Sequence, residues 1–174
     1  KEGTPVPNLP FPKNGQPKDE VLASMRAARD HDIQWHRGRV FGLVYHINDE
    51  IDELLKEASN LFFSENGLNP TAFPSLRKFE TEIVAMTASL LGGDASAAGN
   101  VTSGGTESLL CAVKTARDWA RANHPEITQP EILMPVTAHP AFEKGAEYFG
   151  VRVVKTPVHA DFRADVEAMR AAIT

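Results

Sequence analysis

Residues 99–115 read GNVTSGGTESLLCAVKT, two adjacent glycines and several hydroxyl side chains set immediately ahead of an apolar helical pattern. A helix start leaves its first N–H groups without intrahelical partners and carries the positive end of the dipole, so such a stretch suits an anion. Gly104, Gly105 and Thr106 are the candidates for holding one. The same residues equally make a tight turn in which Ser103 or Thr106 caps the helix, and spacing alone leaves both readings open. The pattern is neither the P-loop nor the G-x-G-x-x-G signature.

Residues 137–144, TAHPAFEK, supply a second candidate. His139 falls between an expected strand and an expected helix, and in α/β sheets ligands gather at the carboxyl ends of strands. An imidazole there reaches a ligand or caps the following helix. His31, His36, His46, His124 and His159 show no H-x-x-x-H spacing within one helix, so no metal is expected. Cys111 stands alone, which excludes an intramolecular disulfide, and its apolar helical setting suits a small core residue.

The elements that must position these residues follow from periodicity. Five of the twelve prolines lie in residues 1–18, where fixed φ and missing N–H donors predict an extended arm. Helices are expected over 19–31, over 49–63, where Ile51, Leu54, Leu55, Ala58, Leu61 and Phe62 share a face, and over 75–91. Residues 38–47, GRVFGLVYHI, read as a short strand or an extended loop. From residue 93 the pattern alternates: helix 105–123, strand 132–136, helix 140–149, strand 151–156, helix 162–173. Alternation with short turns predicts an α/β layer with parallel strands. Three parts are therefore expected: the arm 1–18, a helical segment 19–92, and the first part of a larger α/β domain over 93–174.

The 174 residues carry 18 Lys and Arg against 23 Asp and Glu, a formal charge of −5, so no global positive field attracts nucleic acid or an anionic membrane. No apolar run is long enough to span a bilayer, and no targeting pattern opens the chain. A cytoplasmic protein is expected.

In order along the chain, NGLNPTAFPSLRK at 66–78, VTSGGTES at 101–108, the helix segment AVKTARDWA, and TAHPAFEKGAEYFGV at 137–151 resemble the sphingosine-1-phosphate lyase family, within the group II pyridoxal-phosphate-dependent decarboxylases. The resemblance covers roughly residues 36–174 and is most specific in the pairing of SGGTES with AHPAFEK. It implies the N-terminal part of an aminotransferase-like (fold type I) α/β enzyme with pyridoxal 5'-phosphate as cofactor. It places Gly104, Gly105 and Thr106 at the cofactor phosphate and His139, the catalytic candidate, over the pyridine ring. Tyr45, Asn66 and Asn69 would reach the phosphate of the substrate, Asn69 standing where relatives carry histidine.

The implied reaction is retro-aldol cleavage of a phosphorylated sphingoid base to a long-chain aldehyde and phosphoethanolamine. The implied partners are that substrate and a second copy in a homodimer with shared active sites. The family's Schiff-base lysine and small C-terminal domain would lie beyond Thr174, so the chain is expected to need the C-terminal remainder of the enzyme and to be inactive alone. An amino-acid decarboxylase of the same fold and a catalytically silent fragment acting in dimerisation are the alternatives.

Overall fold

The computed structural model describes residues 9–38 and 40–174. It divides into two compact units between Glu65 and Asn66.

In the first unit, residues 9–17 carry no helix or strand and are exposed, and residues 1–8 of the expected arm lie outside the described part. Helix α1 spans Lys18–Arg29, with Asp19 and Glu20 in its first turn and Arg26 and Arg29 in its last, each complementing the dipole. Helix α2, Asp49–Leu61, starts where the Asn48 side chain accepts the Ile51 N–H at 2.9 Å. Between them lies one 3-10 turn, Trp35–Arg37, and then a loop. Of the two readings of residues 38–47, the described ones form a loop. Gly38, Gly42 and Leu43 have φ of 65°, 71° and 64°, and left-handed residues cannot continue a ladder.

The second unit opens on a turn in which the Asn69 carbonyl accepts from Ala72 and Phe73, leading into helix α3, Pro74–Leu90, with proline at its permitted first position. Helix α4, Gly105–Asn123, then strand β1, Glu131–Pro135, helix α5, Ala141–Phe149, strand β2, Arg152–Thr156, and helix α6, Val166–Ala171, follow. The two strands pair in parallel, Glu131 opposite Arg152 and Pro135 opposite Thr156, and those first partners also form an ion pair.

Helix α6 is shorter than the expected 162–173. Val158 and Ala164 form an antiparallel bridge around a turn in which Phe162 has φ of 65°, and Asp165 then caps the helix by accepting from Ala168 at 2.9 Å. Cys111 is exposed and not the core residue expected from its setting. The packed face of α4 runs through Leu110, Val113, Arg117 and Ala120, and Cys111 sits about 100° round the helix from Leu110.

Two contacts fix how α4 and α5 lie together. A Cβ added at Gly145 would meet Val113 at 3.2 Å and Leu110 at 3.4 Å. One turn further along both helices, Arg117 Nη1 donates to the Phe149 carbonyl at 3.3 Å, with its guanidinium over the Phe149 ring. Contacts that rise together in both sequences mean the helices run parallel. Counting back from Gly145 to Ala141 and from Leu110 to Thr106, each about 6 Å of helix, brings the two N-termini to the same end of the layer. That end is also the carboxyl end of β1.

Candidate functional site

At this end sit the glycine turn and His139. Gly104 is the N-cap of α4 and has an extended backbone, and among the described residues no side chain caps the helix. Among the described residues no acceptor takes the N–H groups of Gly105 and Thr106. A Cβ placed on Gly104 or Gly105 would meet nothing within 4 Å among the described residues. Neither strain nor packing among the described residues calls for glycine at these positions, so what the missing side chains provide is room beside free N–H donors. This is the property an anion cradle needs, and the phosphate of pyridoxal phosphate fits it.

The turn is held by its own neighbours. The Ser103 N–H and hydroxyl both donate to Glu107 Oε2, at 2.7 and 2.6 Å. The Thr102 hydroxyl donates to the Gly104 carbonyl at 3.1 Å and lies 2.6 Å from the Ser108 hydroxyl. The Ser103 hydroxyl, with the Ser103 N–H second, holds the Glu107 carboxyl below the usual glutamate range. Glu107 lies four residues after Ser103, one further than the serine–glutamate spacing of a capping box, so spacing alone does not single it out. An apolar groove of about 610 Å³, lined in part by Val84, Ala88, Gly99 and Thr102, runs up to Gly104. The Val101 N–H at its edge donates to Glu80 Oε1 of α3 at 3.1 Å.

His139 is exposed, and its Nδ1 accepts the Ala141 N–H at 3.1 Å. The capping reading therefore holds for one ring nitrogen. In the neutral ring that bond leaves the proton on Nε2, and it fixes the imidazole's orientation without consuming its face or its N–H.

Asn66 Oδ1 accepts from Leu68 at 3.1 Å, and Asn69 Oδ1 accepts from Thr71 and Ala72 at 3.0 and 3.2 Å. These bonds use only the amide oxygens, and among the described residues neither NH₂ group has a partner. Both asparagines are thus turn formers with donors to spare.

In the first unit, Tyr45 is fully exposed on the loop. The same unit gathers His36, His46, Asp49 and Asp52, whose polar atoms lie within 4.8 Å of one another, and His46 Nδ1 is 3.1 Å from Asp52 Oδ2. These residues are far apart in helical spacing and meet only because the chain brings His36 and His46 to the start of α2.

No family model matches the chain. It is similar to sphingosine-1-phosphate lyase 1 of Mus musculus, 41% identical over 180 residues, which is 97% of this chain and 31% of the mouse protein. The chain thus spans about a third of the length of such relatives. Its structure is similar to that of the sphingosine-1-phosphate lyase of Burkholderia pseudomallei, with a TM-score of 0.83 and 35% identity over 95% of this chain and 40% of that one. The glutamate decarboxylase of Lactobacillus brevis shares the fold, with a TM-score of 0.72 and 19% identity over 98% of this chain and 40% of its own. The architecture is a portion of the aminotransferase-like (fold type I) α/β fold.

Proposed function

We propose that this chain, homologous to sphingosine-1-phosphate lyases over most of its length, supplies part of a pyridoxal-phosphate site that cleaves a phosphorylated sphingoid base into a long-chain aldehyde and phosphoethanolamine. The observation that carries the reading is the pair of unpartnered N–H groups at Gly105 and Thr106, beside two glycines whose missing side chains leave open space. There the cofactor phosphate would be held by backbone donors and the helix dipole, with the Thr106 hydroxyl as a third group. Bound in this way, pyridoxal phosphate supplies the electron sink that a carbon–carbon cleavage next to an amine requires.

The residues of the chain bind and align. His139, its orientation set by the Ala141 N–H, offers a ring face to the pyridine and an Nε2–H donor beside it. The free amide hydrogens of Asn66 and Asn69 are donors of the kind a substrate phosphate needs, and the exposed Tyr45 hydroxyl is another. Binding energy spent on that remote phosphate would position the bond that breaks. Exposed apolar side chains on α3, among them Met86 and Leu90, support a homodimer as the working state.

The test is product analysis on the full-length protein with pyridoxal phosphate. A phosphorylated sphingoid base should yield aldehyde and phosphoethanolamine in equal amounts. Carbon dioxide from an amino acid, with no aldehyde from the lipid, would assign the protein to the decarboxylases instead. The higher identity to the Burkholderia lyase than to the Lactobacillus decarboxylase supports the first outcome.

A further inference from the structure

We propose that Glu107 is a positioning residue for the anion cradle, its carboxylate tying Ser103 back over the first turn of α4 and so holding residues 103–106 in the shape that leaves the Gly105 and Thr106 N–H groups free for a phosphate. The inference rests on the cofactor-phosphate reading above and adds to it a residue that makes no contact with the cofactor in that reading.

Three features carry it. One carboxylate oxygen receives both donors of Ser103, a bifurcated tie that fixes the backbone position and the hydroxyl rotamer together. On the other side of the turn, Thr102 donates to the Gly104 carbonyl, which also accepts the Ser108 N–H at 3.1 Å. The residue ahead of the glycine pair and the carbonyl within it are thereby both held, the first by Glu107 and the second by Thr102 and Ser108. Glycines left untethered sample left-handed and extended backbone alike, and that freedom would otherwise be lost on binding an anion.

A second effect opposes the first. Glu107 is itself an anion near the cradle, and its charge repels a phosphate. Its side chain is exposed, so solvent and salt screen that repulsion, whereas the tie acts through short hydrogen bonds that screening leaves in place. Preorganisation therefore outweighs repulsion.

The experiment measures dissociation constants of the full-length protein for pyridoxal phosphate and for pyridoxal by equilibrium dialysis. Pyridoxal lacks the phosphate and closes largely to its hemiacetal in water, an offset common to every variant, so the change in their ratio between variants isolates the phosphate. Glu107→Ala should lower the preference for the phosphorylated form by about tenfold, the scale of a lost hydrogen bond to a charged group. Glu107→Gln keeps an acceptor for Ser103 and removes the charge, so its preference should stay at or above that of the unsubstituted protein. Amide hydrogen exchange at residues 104–106 without cofactor should quicken in the alanine variant and not in the glutamine variant.

An unchanged preference in Glu107→Ala overturns the proposal, as does a preference that rises in both variants. If the alanine variant does not fold, Ser103→Ala, which removes the hydroxyl arm of the tie and keeps the N–H arm, should show a smaller loss in the same ratio; no loss there overturns it too. Failure of the underlying reading has its own signature: an unsubstituted protein that binds both ligands equally has no phosphate site for Glu107 to shape.

Discussion

Gly145 of α5 lies so close to Val113 of α4 that a single added carbon would stand 3.2 Å from its Cγ2 and 3.3 Å from its Cβ. Val113 is 6% exposed and β-branched, with little freedom to turn aside within a helix. This contact sets the register that brings the start of α4 and the His139 turn to one end of the layer. Gly145→Ala gains helix propensity of about 1 kcal/mol and loses more to overpacking, about 1–3 kcal/mol, against three neighbouring atoms at once. A lower denaturant midpoint with an unchanged slope is expected, and Gly145→Val should shift it further.

His139 has two separable roles, and two substitutions divide them. Asparagine can replace the Nδ1 acceptor at the Ala141 N–H and has no ring. Phenylalanine keeps a ring face and has no acceptor. If the ring face serves the cofactor, His139→Phe retains pyridoxal phosphate better than His139→Asn, while the asparagine variant has the higher melting temperature. Cofactor affinity equal in both would leave the histidine as a cap alone.

How much of this was legible beforehand differs from element to element. The bounds of α4 follow from a glycine pair in front of a sustained helical face, and the structure starts and ends that helix where the spacing does. The start of α6 was not legible, because Phe162 and Val166 fit a helical spacing while the bridge between Val158 and Ala164 holds the chain in a turn. The cap and ligand readings of His139 call on different atoms, since the Ala141 N–H occupies Nδ1 and leaves the ring face and Nε2, and the turns at Asn66 and Asn69 likewise occupy only the amide oxygens. Residue types announce such groups, but only coordinates show which atoms are already used. The gathering of His36 with His46 and Asp52 likewise depends on a loop whose left-handed Leu43 has no sequence signature.

The asparagine donors yield a substitution that keeps the loop. Aspartate preserves the oxygen that accepts from Leu68, or from Thr71 and Ala72, and removes the amide hydrogens. Asn66→Asp and Asn69→Asp should each raise KM for a phosphorylated sphingoid base by about tenfold or more while leaving the affinity for pyridoxal phosphate unchanged. Tyr45→Phe, at a fully exposed side chain, should leave stability within about 0.5 kcal/mol and raise the same KM. Kinetics unaltered in all three would remove these residues from the substrate site.

Acid should loosen the glycine turn in a defined direction. The two bonds from Ser103, the hydroxyl's first, hold the Glu107 carboxyl below its ordinary range. A carboxyl depressed in the folded state contributes stability that is full above its unfolded value and is lost as pH falls through its folded value. The stability difference between the protein and Glu107→Gln should therefore be flat across neutral pH and narrow on acidification through and below the ordinary glutamate range. Denaturant titrations at a series of pH values check this; a difference that widened toward acid would contradict the tie.

The central claim is that the turn from Gly104 to Thr106 holds the phosphate of pyridoxal phosphate, and the most direct measurement compares the affinity of the full-length protein for that cofactor with its affinity for pyridoxal. Backbone donors, a helix dipole and open space at the glycines should make the phosphorylated form bind at least about tenfold more tightly, with added inorganic phosphate competing for the difference. Equal affinities, or a preference that phosphate does not erode, would contradict it.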